Sequence, residues 1–341
     1  MIETALSRAL KLEIPVVQGG MQHVGLPKLV AGVSNAGGLG VLTALTQPSP
    51  DALRKAIRET RALIRPEVSE KRKALGAFAV NLTLLPAINP PDYEGYTRAA
   101  LEEGVRIFET AGHNPGAIIK LVKEQNAYVI HKCTTIRHAL SSQRFGADAL
   151  SIDGFECAGH PGEDDIGGLV LAARASDELS IPFILSGGIA NGQGLAAALA
   201  LGAAGVNMGT RFMCTVESEI HERIKQKIVE STERDTVHIF RSLRNTARVY
   251  KNKVAMEVVA LERRPGGVEF KEIQPLVSGQ RGKKVYTEGD PEAGIWTAGI
   301  TLGLINDIPT CEDLLKTIER DAEAHIARIA GLVSKGQQAR L

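Results

Sequence analysis

Ser151-Ile152-Asp153-Gly154-Phe155-Glu156-Cys157-Ala158-Gly159-His160-Pro161-Gly162-Glu163-Asp164-Asp165 is the stretch that decides how the chain is read. Its first residues finish an apolar run that starts at Ala149, and the rest is a loop of small, proline and acidic residues. A helical pattern over 168–179 follows. A strand that opens into a small-residue loop before a helix is the repeating unit of an α/β barrel, and such loops carry a barrel's chemistry. One histidine, His160, sits among the small residues, and its ordinary pKa suits a general base or hydrogen-bond donor near neutrality. A packed or solvated histidine is the plainer alternative.

Outward from this stretch, short β-rich runs at 14–18, 40–42, 76–82, 105–109, 128–133, 149–153, 182–186 and 205–208 alternate with helical patterns. Ser49 and Pro50 mark one helix start as N-cap and first-turn proline. Strands with little polar content fit a parallel sheet covered on both faces. No Gly-x-Gly-x-x-Gly follows the first strand, which favours a closed barrel over a doubly wound open sheet. The expected fold is therefore α/β, a (β/α)8 TIM barrel. After Thr210 the pattern changes, with helical stretches over 217–230 and partly over 247–261, and glycine turns at 265–267 and 278–283. The expected organisation is a barrel over 1–214, an added mostly helical segment or lid over 215–309 after strand eight, and a last helix, 310–335, returning to the barrel wall. The proline-rich loop 87–96 is positioned to gate the barrel mouth and leads into a helix from Tyr96 to Glu103.

Composition narrows the function classes. Lys and Arg number 40 against 39 Asp and Glu, a net charge of +1 that leaves no electrostatic footprint for nucleic acid or an anionic membrane. No apolar run is long enough to span a bilayer, and the first residues carry no signal-peptide pattern. The four cysteines are widely spaced and form no C-x-x-C pair, as expected of reduced thiols in a cytoplasmic protein.

Two glycine turns follow the last two strands, Ser186-Gly187-Gly188 and Met208-Gly209-Thr210. Barrels build phosphate sites there from backbone N–H groups, and glycine lets the backbone approach the phosphate. Tight turns without a ligand are the alternative. Gly20 and Met21, Asn81 and Thr83, and Lys132 end earlier strands and point to the same face. Lys132 is placed either to hold the electron-rich edge of a cofactor or to reach solvent along its stem. The acids Glu163, Asp164 and Asp165 are expected to cap and begin the next helix rather than join His160 around a metal. Cys157 lacks a neighbouring histidine to activate it as a nucleophile.

Taken together, Gln18-Gly19-Gly20-Met21-Gln22, Val80-Asn81-Leu82-Thr83, Asp153 through Glu163, Ser186-Gly187-Gly188 and Met208-Gly209-Thr210 resemble the nitronate monooxygenase family, formerly 2-nitropropane dioxygenases. Ser278-Gly279-Gln280 and Trp296-Thr297-Ala298-Gly299 extend the resemblance along the chain. It implies FMN, with its phosphate at Gly187, Gly188, Gly209 and Thr210 and its ring and ribityl chain along Gly20, Met21, Asn81, Thr83, Lys132 and Ala158. Ser186 and Gln280 join this cofactor-binding set. His160 matches the family's active-site histidine. The implied reaction is oxidation of alkyl nitronates with O2 to carbonyl compounds and nitrite. A bacterial branch with a similar Asn81–Pro86 and Asp153–His160 pattern includes NADH:quinone reductases, which would share the FMN site. An FMN-dependent enoyl-ACP reductase is a more distant resemblance, and a flavin-binding module without turnover is the non-enzymatic alternative. The expected partners are a small-molecule substrate and O2, with a homodimer as the candidate assembly and no metal, nucleic acid or membrane.

Overall fold

Alternate strand residues fall into two separate apolar clusters, and that period of two is what closes the sheet. Val17, Val41, Ala79, Ile107, Ile130, Ala149 and Ile184 pack inside the barrel with Leu6, Leu10 and Leu12. Their strand neighbours Val16, Leu42, Val80, Phe108, Val129, Leu150 and Leu185 pack outward against the helices. The computed structural model describes residues 2–84 and 90–333. Its strands are β1 (Val16–Gln18), β2 (Leu39–Thr43), β3 (Phe78–Leu84), β4 (Ile107–Gly112), β5 (Tyr128–Cys133), β6 (Ala149–Asp153), β7 (Phe183–Ser186) and β8 (Val206–Met208). All pair in parallel, and Val17 of β1 lies opposite both Leu39 of β2 and Asn207 of β8, so the barrel is closed. The expected α/β TIM barrel is the fold found.

The helix Ala5–Leu10 plugs the N-terminal end, with Thr4 Oγ1 donating to the Ala204 carbonyl at 2.7 Å. Two residues further along, the side chains turn polar in six of the seven interior rows, and in β1 Val17 gives way to Gly19. Val41 gives way to Thr43, Ala79 to Asn81, Ile107 to Glu109, Ile130 to Lys132, Ala149 to Ser151 and Ile184 to Ser186. One step of the strand repeat therefore converts an apolar plug into a polar floor.

The last helix, Cys311–Ala330, starts behind Thr310, whose hydroxyl accepts from the Asp313 N–H. It packs against the helix Gly192–Ala200 that follows β7 and the helix Pro27–Asn35 that follows β1. This is the position of a barrel's eighth helix. The approach is close because Gly192 has no side chain: a Cβ there would lie 2.6 Å from the Ala322 nitrogen and from the Ile318 carbonyl oxygen.

Between β8 and that helix lies a lobe with its own apolar cluster, including Ile239, Val249, Val258 and Ile273. Several boundaries differ from the sequence reading; the glycine loop expected at 278–283 is the first part of the helix Gly279–Glu288, and the strand expected at 105–109 runs over Ile107–Gly112. Residues 247–250 are a strand rather than the start of a helix: β9 (Thr236–Ile239) and β10 (Ala247–Tyr250) form an antiparallel pair, as the β-branched and aromatic residues Val249 and Tyr250 favour. The helix begins only at Lys253, after Asn252 caps it by accepting from the Ala255 N–H. The helical pattern over 217–230 yields a helix only at Glu222–Val229, which starts behind His221, whose side chain accepts from the Arg223 N–H; the Glu217 carboxylate accepts instead from the Cys311 N–H at 2.9 Å. The helix expected from Tyr96 starts at Tyr93, behind Asp92. Residues 87–89 of the expected gate and 334–335 of the expected last helix lie outside the described residues.

Gly192→Ala should lower stability by about 1–3 kcal/mol through overpacking of the last helix. Chemical denaturation would check it, since helix propensity alone would make the same change stabilising.

Candidate active site

The C-terminal ends of the strands and the hairpin β9–β10 enclose a cavity of about 1080 Å³. It is lined by Gly20, Met21, Asn81, Thr83, Lys132, Ala158, His160, Ser186, Gly187, Gly188, Gly209 and Thr210, twelve of the thirteen residues singled out from sequence. Gln280 is the exception. It lies at the exposed start of the helix Gly279–Glu288, which buries Val285 and Tyr286 instead, and it is Tyr286 that reaches the cavity.

The floor is organised by a residue that sequence reading passed over. Glu109 has no exposed surface. One of its carboxylate oxygens accepts from the Gly20 N–H at 2.9 Å and from Asn81 Nδ2 at 2.7 Å, and the other accepts from Asn207 Nδ2 at 3.2 Å. Three donors to one buried carboxylate are what make its burial tolerable. The signal in the sequence is a charged residue ending an apolar strand at an interior-facing position. Gly20 can sit against this group only as glycine, since a Cβ would be 2.3 Å from Asn81 Cγ. Asn81 in turn accepts from Thr83 Oγ1 at 3.0 Å, and Asn207 also donates to Ser151 Oγ at 3.3 Å.

Lys132 Nζ stands 4.0 Å from Asp153 Oδ2, and its side chain is mostly buried, so it is not a surface lysine. Burial works against its charge, but Asp153 and Glu109 more than offset this and move its pKa upward. Burial raises the pKa of Asp153, with Lys132 opposing. The pair places a cation in the wall of the cavity.

At the glycine turns, Gly187 and Gly188 have φ of +83° and +75°, where L side chains are strained. The N–H groups of Gly188, Gly209 and Thr210 donate to no described residue. Thr210 Oγ1 accepts from the Gly299 N–H at 3.0 Å, which leaves its own proton free to point elsewhere.

His160 exposes its side chain to the cavity, yet the walls around it are close enough that burial lowers its pKa below 6.5, with Glu163 opposing. The hairpin holds its loop at both ends. Gly159 and Arg248 exchange backbone hydrogen bonds of 3.1 and 2.6 Å. Arg248 Nη2 donates to the Phe155 carbonyl at 2.9 Å, and its guanidinium lies 4.8 Å over the Phe155 ring. The Thr246 N–H and hydroxyl donate to the two Glu163 oxygens at 2.8 and 2.6 Å. The expected capping role of the acids is corrected here. Glu156 caps the following helix through the Gly168 N–H at 2.9 Å, while Glu163 and Asp165 bind the hairpin, Asp165 through Arg241. Cys157 is buried, and desolvation moves its thiol pKa upward, away from a nucleophilic thiolate.

The family model for nitronate monooxygenase matches residues 3–321. The chain belongs to that family. It is therefore an enzyme of this oxidoreductase type, in a family of flavoproteins. A Mycobacterium tuberculosis enzyme named (3aS,4S,5R,7aS)-5-hydroxy-7a-methyl-1-oxo-octahydro-1H-indene-4-carboxyl-CoA dehydrogenase is 29% identical, over 97% of this chain and 99% of its own. A Staphylococcus saprophyticus protein named probable nitronate monooxygenase is 31% identical over 69% of this chain and 75% of its own. Among solved structures, FabK from Thermotoga maritima superposes with a TM-score of 0.87 at 33% identity, covering 98% of this chain and all of that one. A nitroalkane oxidase from Streptomyces ansochromogenes shares the fold with a TM-score of 0.77 at 24% identity. No described helix is long and apolar enough to cross a membrane.

Glu109→Gln would turn an acceptor toward donors and leave buried N–H groups unpaired, lowering stability by about 2–3 kcal/mol in thermal or chemical unfolding. Gln280→Ala should leave both stability and ligand retention unchanged, read in the same experiments.

Proposed function

We propose that the chain is an FMN-dependent oxidoreductase that oxidises alkyl nitronates with O2 to carbonyl compounds and nitrite. The observation that carries this reading is the layout of one cavity, with unpaired backbone N–H groups of two glycine turns, a buried lysine cation in the wall and a histidine exposed to the same space. These features fit FMN. Gly187, Gly188, Gly209 and Thr210 would hold the phosphate, with Ser186 beside them, and Gly20, Met21, Asn81, Thr83, Lys132 and Ala158 would line the ring and ribityl chain. Bound there, the flavin supplies the electron chemistry, accepting electrons from the substrate and passing them to O2. Lys132, kept protonated by Asp153 and Glu109, would supply positive charge to the electron-rich edge of the flavin. His160, neutral at physiological pH because burial lowers its pKa, would orient the nitronate; a base role would apply only to the parent nitroalkane, whose α-proton it could take. Glu163 and Arg248, held within the hairpin contact, keep that histidine's loop in place.

A second reading, redox chemistry on an acyl-CoA thioester, is favoured by the mycobacterial relative named as a carboxyl-CoA dehydrogenase. Its match runs nearly end to end on both chains, whereas that to the staphylococcal protein named for nitronate covers 69% of this one.

The purified protein should be yellow and carry non-covalent FMN; a colourless protein that cannot be reconstituted with FMN rejects the cofactor assignment. Anaerobic mixing with propyl-2-nitronate should bleach the flavin. Bleaching by NADH alone would replace the nitronate reading with the NADH:quinone one. His160→Ala should slow flavin reduction by about a hundredfold or more while leaving FMN bound. In the wild type, kcat/KM should be flat around neutrality and fall only below the ordinary histidine value of 6.5, because the lowered pKa preserves the base form to more acidic pH. The acid limb should be missing in the alanine variant.

A further inference from the structure

We propose that the hairpin loop 240–246 forms a second anion site on this cavity, with Arg244 as its cation, and that it takes a phosphate-bearing co-substrate. This rests on the reading that the glycine turns take the flavin phosphate, because only then is a further anion site needed.

The argument starts from the charged side chains lining the cavity. Lys132 faces Asp153, Glu156 accepts the Gly168 N–H, and Glu163 accepts from both Thr246 donors. Arg244 is the remaining one, and its guanidinium has no ion pair or hydrogen bond to any described residue. Its neighbour Arg241 is occupied by Asp165, with Nη2 at 2.9 and 3.1 Å from the two carboxylate oxygens. The loop thus has one neutralised arginine and one free arginine, and the free one faces the cavity.

The backbone holds that arrangement. Arg244 and Phe240 have φ of +51° and +64°, left-handed conformations that are strained for a non-glycine residue. Such strain persists where the surroundings over-determine it, and it concentrates at ligand sites. Here the surroundings are carboxylates bound to the loop. Glu262 accepts from the Phe240 N–H at 2.9 Å and from the Ser242 N–H and hydroxyl at 3.1 and 2.8 Å, and Glu163 holds Thr246 at the far end. The fastened backbone places Arg244, an exposed side chain, on the cavity lining, with the apolar side chains of Phe240 and Leu243 on the same cavity. That combination suits an organic phosphate with an apolar portion. Two sources share this chemistry, a coenzyme A thioester and a reduced nicotinamide dinucleotide.

The test uses the flavin-loaded enzyme and three probes, coenzyme A, NADH and inorganic phosphate, with affinity read by equilibrium dialysis. Arg244→Ala should weaken binding of the organic phosphate that binds the wild type by about tenfold or more, as loss of a charge-assisted contact does. Arg244→Lys should recover part of it, and Arg234→Ala, an exposed arginine of the lobe away from the cavity, should change nothing. Binding of coenzyme A alone identifies a thioester source, and binding of NADH alone a nicotinamide source. Equal affinity of wild type and Arg244→Ala, or no binding of either organic phosphate to the wild type, overturns the proposal. Flavin absorbance of the same samples tests the underlying reading separately. If the alanine variant does not retain flavin, Arg244→Gln takes its place under the same criterion.

Discussion

A carboxylate with no exposed surface organises the working end of this barrel. Glu109 joins β4 to the turn after β1 through Gly20, to β3 through Asn81 and to β8 through Asn207, so four points around the ring share one anion. A buried charge is stable only while its donors stay in place. The donors are therefore fixed by the same interaction that they stabilise, and the strand ends that carry the cavity are held at a common level. Lys132 completes the balance, drawing its protonation from both Glu109 and Asp153. The polar floor and the charge in the cavity wall are one electrostatic unit.

The barrel was legible in the sequence because its strands repeat with period two and each ends in small or polar residues. The glycine turns at Gly187, Gly188 and Gly209 and the histidine at 160 were legible for the same reason, since each follows a strand end. What was not legible were partners brought in by distant chain. Glu163 and Asp165 sit where helix-capping acids sit, and nothing local reveals that Thr246 and Arg241 compete for them successfully. Glu109 gave a local signal, a charge in an apolar strand, but its meaning depends on Gly20 and Asn207. Residues 247–250 carry enough strand propensity to pair with β9, while the helical pattern that begins at 253 hides the boundary. Gln280 is the one singled-out residue that does not line the cavity, lying at the exposed start of its helix.

The lobe after β8 shapes the site although it lies outside the barrel. Its strand β10 adds to the loop after β6 through Gly159 and Arg248, and Arg248 grips the same loop again at Phe155. The histidine loop is thus held from the barrel side by Glu156 on the Gly168 N–H and from the lobe side by arginine and threonine. The hairpin therefore contributes cavity wall from outside the barrel, through Phe240, Leu243, Ala247 and Val249.

The position of the last helix has a consequence for how the molecule is made. The helix that completes the barrel wall is encoded after the whole lobe, and it docks between the helix following β7 and the helix following β1. During synthesis all eight strands emerge before the element that covers their final gap. Until then the outer face near Gly192 and Gly32 is bare, and the nascent chain must hold an unfinished wall while the lobe is translated. Contacts of such long sequence separation form late and slowly. A ribosome-stalled chain ending before Cys311 should therefore be a substrate for chaperones, and release of the last helix is the step that turns it into a finished enzyme.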